Sequence, residues 1–63
     1  MKKNVKLETS NGNHYYTIKE YSGKLYVYKD GNEIGKCSSL EDALSVCKSD
    51  AGGRIYKTNV TDA

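Results

Sequence analysis

Three turn signals cut the first 37 residues of this chain into four segments, none longer than eight residues. They are Asn11-Gly12-Asn13, Ser22-Gly23 and Asp30-Gly31-Asn32. Each sets Gly beside Asn, Asp or Ser, the residues that tolerate positive φ in tight hairpins. The segments between them, 3–9, 14–21, 24–29 and 33–37, alternate apolar and polar side chains and read as strands. Consecutive strands joined by tight turns form an antiparallel meander.

Period-2 alternation assigns the two faces. Val5, Leu7, Tyr16, Ile18, Leu25, Val27 and Ile34 fall on one side, with Gly35 marking a bulge. Tyr15, Tyr21, Tyr26 and Tyr28 fall on the other. The period then changes. Leu40, Ala43, Leu44, Cys47 and Ala51 follow i, i+3, i+4, i+7 and i+11, an amphipathic helix. Ser38 with Glu41, or Ser39 with Asp42, offers a capping box, and Gly52 offers the left-handed stop. Residues 54–58 read as a short final strand with Ile55 inward, and residues 59–63 as a frayed tail. The expected fold is α+β in the order β-β-β-β-α-β. A meander of about four strands carries one helix on one face and leaves the other face open to water.

Sixty-three residues make one small domain, 1–63, of which 37% are hydrophobic and 29% charged. With a mean hydropathy of −0.77, the chain can bury only a thin layer. Stability is therefore expected to be modest and open to help from homodimerisation, through the open faces or exposed edge strands. A formal charge of +2 announces neither a nucleic-acid nor a membrane partner. The basic start Met1-Lys2-Lys3 is followed by Asn4-Val5-Lys6-Leu7-Glu8, where a signal peptide needs an apolar run. The expected location is cytoplasmic, with no membrane association.

Catalysis finds little footing. His14 is the single histidine, set at a strand start with no partner at a diagnostic spacing, and reads as a solvent-exposed residue. Cys37 lies near the helix N-terminus, where a thiol pKa falls, but nothing supplies it with a base. Cys37 and Cys47 default to free thiols without a secretory context, although a bridge across the strand-to-helix corner is conceivable. Gly52-Gly53 lacks the Lys-Ser/Thr of a phosphate loop. No spacing holds a metal ion, and no cofactor is expected.

Binding has more to work with. Phe and Trp are absent, so the six tyrosines are the only aromatic side chains. Tyrosine brings large contact area, little side-chain entropy and a hydroxyl suited to a wet interface. Tyr15, Tyr21, Tyr26 and Tyr28, interleaved with Lys19 and Lys24, form the expected partner-binding surface. The bland reading is that cross-strand tyrosine pairs only stabilise the sheet.

Two families share parts of this pattern. Tyr16-Thr17-Ile18-Lys19, Leu25-Tyr26-Val27-Tyr28, Gly31-Asn32-Glu33-Ile34-Gly35 and Ser39-Leu40-Glu41-Asp42-Ala43 resemble the YegP-like family of small bacterial domains. The likeness covers about half the chain and implies fold without function. This chain departs from that pattern in a shorter strand-to-helix connection and an extra final strand. Lys24-Leu25-Tyr26-Val27-Tyr28, Asp30-Gly31, Ile34-Gly35 and the same Ser-led helix resemble the integrase arm-type DNA-binding domain. That resemblance implies a sheet laid in a major groove, and Lys19, Lys24, Lys36, Arg54 and Lys57 as phosphate contacts. Such domains carry many basic residues on the open face, whereas here Arg54 lies outside the meander and Glu20, Asp30 and Glu33 lie near the candidate surface. A near-neutral face favours protein contact. The expected function is a non-enzymatic protein-binding module that occupies a partner's surface. Its size is typical of accessory or inhibitory proteins of phages and other mobile elements. A nucleic-acid-binding sheet is the alternative.

Overall fold

The computed structural model describes residues 1–63. Its elements run β1 (Lys2–Thr9), β2 (Gly12–Tyr21), β3 (Lys24–Lys29), β4 (Asn32–Cys37), α1 (Leu40–Ala51) and β5 (Ile55–Asp62). The five strands form one antiparallel sheet in the order β4-β3-β2-β1-β5. The chain is thus a small α+β fold of order β-β-β-β-α-β, as its turn and period signals indicate. No helix is long and apolar enough to cross a membrane.

Two hairpins follow directly from their turn residues. Ser22 and Gly23 have φ of 52° and 77°, and Asp30 and Gly31 have 53° and 82°. Positive φ at both central positions is the type I′ geometry, whose twist matches that of the flanking strands. The first turn sits earlier than the Asn11-Gly12-Asn13 signal places it. Gly12 already pairs with Thr9, so the loop is Ser10-Asn11. The bulge expected at Gly35 falls one residue away. Gly35 pairs with Val27 and Glu33 with Tyr28, leaving Ile34 as the extra residue.

The helix is capped by the second of the two candidate serines. Ser39 Oγ accepts a hydrogen bond from the Asp42 backbone N–H at 3.1 Å, and Gly52 N–H donates to Lys48 O at 3.1 Å. The helix lays a stripe of small side chains, Ala43, Cys47 and Ala51, on Val5, Leu7, Tyr16, Ile18, Leu25 and Val27. Those nine are the buried apolar core. Leu40, Leu44, Val46, Ile34 and Cys37 border it. Small residues let the helix approach the sheet closely, so a thin core is still a well-packed one.

Polar groups on the helix side are largely paired. Tyr16 is buried, and its hydroxyl donates to Asp50 Oδ2 at 2.9 Å. Lys29 donates to the same oxygen at 3.1 Å. These two hydrogen bonds hold the Asp50 carboxyl below its ordinary value. His14, read from the sequence as exposed, is half-buried on this side opposite Leu7. Its Nε2 is buried without a hydrogen-bond partner. Both cysteines are free thiols, and burial pushes Cys47 up to about 11 and raises Cys37 as well. Neither is the low-pKa thiol that a helix N-terminus would make of Cys37.

The final strand needs a correction. Residues 59–63 are not a frayed tail, because β5 pairs with β1 from Ile55 opposite Thr9 to Asp62 opposite Lys3. Ala63 N–H continues the ladder to Lys2 O at 3.1 Å, and Lys3 makes an ion pair with Asp62. Every residue of β5 after Ile55 is exposed. Backbone hydrogen bonds hold this strand, with no buried face to announce it.

Candidate functional site

The register fixes what the open face displays, because directly paired residues share a face. One cross-strand row reads Lys2, Lys19, Tyr26 and Lys36. The next reads Thr61, Asn4, Thr17 and Tyr28, and the third reads Asn59, Lys6 and Tyr15. Lys57 with Glu8, Tyr21 with Lys24, and Glu33 beside Tyr28 complete the face. Tyr15, Tyr21, Tyr26, Tyr28, Lys19 and Lys24 therefore lie together on it, and Lys36 and Lys57 join them. Arg54 does not. It sits before β5 at the tip of the first hairpin, where its N–H donates to Ser10 Oγ at 2.9 Å.

The tyrosines divide into two groups. Tyr15 and Tyr21 are 61% and 54% exposed, the Tyr15 ring standing apart from the other rings and the Tyr21 ring packed on Tyr26. Tyr26 and Tyr28 are half-buried by their neighbours. Lys19 Nζ lies 5.1 Å from the Tyr28 ring centroid, and Lys36 Nζ lies 5.9 Å from that of Tyr26. Tyr21 and Tyr26 meet at 5.9 Å with a tilt of 57°. Partial burial, then Glu33, raises the Tyr28 hydroxyl pKa. Cation–π contact holds the lysine stems down and leaves the ammonium groups at the surface.

Charge is segregated by face, which the balanced composition conceals. The open face carries Lys2, Lys6, Lys19, Lys24, Lys36 and Lys57 against Glu8, Glu33 and, at the β3–β4 turn, Asp30. Glu20, expected near this surface, pairs with Leu25 on the helix side and lies 3.9 Å from the N-terminal ammonium. Glu41, Asp42 and Asp50 are on the helix. The three ion pairs, Met1 with Glu20, Lys3 with Asp62 and Lys29 with Asp50, involve none of the six open-face lysines. The near-neutral face inferred from the sequence is a basic one.

The middle row also makes relief. Thr61, Asn4 and Thr17 have short side chains, and the rows on either side carry Lys2 and Lys19 or Lys6 and Tyr15. The result is a trough of about 700 Å³ across β5, β1 and β2, closed at one end by Tyr28 and Asp30. Val5 and Tyr16 also line it, although their side chains belong to the buried core. Lys2, Lys6 and the floor residues were missed from the sequence, although the alternation that turns Val5 and Leu7 inward turns Lys2, Asn4 and Lys6 outward. His, Cys, Asp and Glu side chains nowhere gather in threes around a point where a metal ion would sit. No protein-family model, curated protein or solved structure matches this chain.

Proposed function

We propose that the chain is a small non-enzymatic binding module that holds a nucleic acid on its open sheet face. One observation carries this reading: six lysines outside any ion pair share that face with four tyrosines, two glutamates and Asp30, and no aliphatic side chain. Protein interfaces are built around apolar anchors, and lysine is depleted from them. Lysines among aromatic rings instead suit a phosphate chain with bases to stack. The test is fluorescence anisotropy with labelled random-sequence oligonucleotides across a salt series. Six phosphate contacts give a log–log slope of about −4 on a single strand. Absence of binding by micromolar protein in low salt refutes the reading.

A protein partner is the second reading, favoured by the packed set Tyr21, Tyr26 and Tyr28. Rings fixed by their neighbours present contact area at little entropic cost. In this version the module occupies an acidic surface, as an accessory or inhibitory protein of a phage or mobile element would. Tyr26→Ala and Tyr28→Ala then weaken a purified complex far more than they lower the melting temperature.

A further inference from the structure

We infer that the trough across β5, β1 and β2 is a site for single-stranded nucleic acid, entered by a few consecutive nucleotides and closed to duplex. The inference rests on the nucleic-acid reading above and assigns it a substrate class.

The shape decides first. A sheet that reads a duplex enters the major groove as a protruding ribbon. Here the centre of the open face is hollow, because the row of Thr61, Asn4 and Thr17 lies below both of its neighbours. The flanking rows are four residues apart along the strands, about 13 Å between Cα atoms at ~3.3 Å per residue. Side chains narrow that gap further. One polynucleotide strand fits such a channel, while two paired strands rest on its rims and leave the floor empty. From β5 to β3 the trough crosses three strand spacings, about 14 Å, which matches about four stacked nucleotides.

The chemistry matches the shape. Lys2 and Lys19 stand on one rim and Lys6 on the other, so phosphates meet ammonium groups on both sides. Tyr15 stands on the Lys6 rim with its ring 61% exposed, a platform for one base. The floor offers the Asn4 amide and the Thr17 and Thr61 hydroxyls, and the Lys6 rim adds the Asn59 amide, groups that both donate and accept. Only unpaired bases expose their Watson–Crick edges, which carry both donors and acceptors, to such a floor. An acidic peptide would satisfy the lysines but would find no apolar pocket in this floor for its side chains.

The experiment compares three labelled probes of equal length in low salt: an oligothymidine, a blunt duplex and a polyglutamate peptide. The oligothymidine is expected to bind best, with the trough lysines contributing about −2 to its log–log salt slope. Lys2→Gln, Lys6→Gln and Lys19→Gln combined should remove that contribution, and Tyr15→Ala should cost about tenfold in affinity. Thr17→Glu, which sets a carboxylate on the floor, should abolish binding, and Lys48→Gln on the helix should change nothing. Circular dichroism melts of each variant separate loss of binding from loss of fold. Equal binding of duplex and oligothymidine overturns the single-strand assignment and leaves the nucleic-acid reading standing. So does binding that survives both the triple lysine variant and Thr17→Glu. Binding of polyglutamate alone overturns both and points to an acidic protein surface.

Discussion

Gly35→Ala adds one methyl group where β4 closely approaches the helix. A Cβ at this position would lie 2.8 Å from Val46 Cγ1 and 3.2 Å from Cγ2. Carbon atoms pack best at about 3.5–4.0 Å, so both contacts fall inside the repulsive range. Val46 cannot easily swing aside, because a β-branched side chain on a helix keeps one dominant rotamer. The helix must therefore lift from β4, at the cost of about 1–3 kcal/mol typical of overpacking. Against this, alanine restricts the unfolded chain, which is worth about 0.4–1 kcal/mol where the backbone is unstrained. Gly35 is not among the positive-φ residues, so that gain applies in full. The expected net loss is about 1–2 kcal/mol, read as a lower urea midpoint and a melting temperature down by roughly 5–15 °C. Val46→Ala removes both clashing methyls and alone costs about 1 kcal/mol. In that background Gly35→Ala should be neutral or slightly stabilising, a coupling of about 1 kcal/mol or more in a double-mutant cycle. Gly35→Ala as stable as the parent, or equally damaging in both backgrounds, refutes the close-approach argument.

Acid should loosen the contact between Tyr16, Asp50 and Lys29. Because the folded pKa of Asp50 lies below its ordinary 3.8, its contribution is present above about pH 4 and is lost as pH falls through the folded value. Melting temperatures measured from neutral pH to pH 2 should drop less steeply at the acid end in Asp50→Asn than in the parent, and parallel curves would contradict this. Truncation after Thr58 tests the last strand. It removes the pairings of Asn59 to Asp62 with β1 and the ion pair of Lys3, so it should lower the melting temperature by several degrees, where loss of a frayed tail would leave it unchanged.

What could be read from the sequence follows the strength of each local signal. The meander was legible because Ser22-Gly23 and Asp30-Gly31 are residues that the I′ turn demands, and no competing element explains them. The helix was legible from its apolar period. Its close approach to Gly35 was not, because Val46 lies off that stripe and Gly35 reads as a bulge signal when only one strand is in view. The far half of β5 carried no signal. From Tyr56 to Asp62 neither face is buried, so no alternation is selected, and the strand exists through pairing with β1. The tyrosine face was placed correctly, but its charge was not. Glu20 shares the parity of Tyr16 and Ile18, and Lys2 and Lys6 share that of Asn4. Both assignments follow from alternation alone once the first strand is given an outer face as well as an inner one.

The same strand that escaped the sequence reading completes the candidate site. Asn59 and Thr61 supply the β5 end of the trough, opposite Lys6 and Asn4, and no other element offers them a place. A four-stranded meander would leave β1 as an edge, with Lys2 and Lys6 splayed toward water and no floor beyond Asn4. Adding β5 turns those two lysines from edge charges into the flanks of a channel. An exposed edge strand is ordinarily a hazard, which proteins limit by keeping it short or charged. Here the edge is eight residues long, and Lys57 and Asp62 are its only charges. A strand that buries almost no side chain still has a role if its outward residues extend the trough, Thr61 its polar floor and Asn59 the rim beside Lys6.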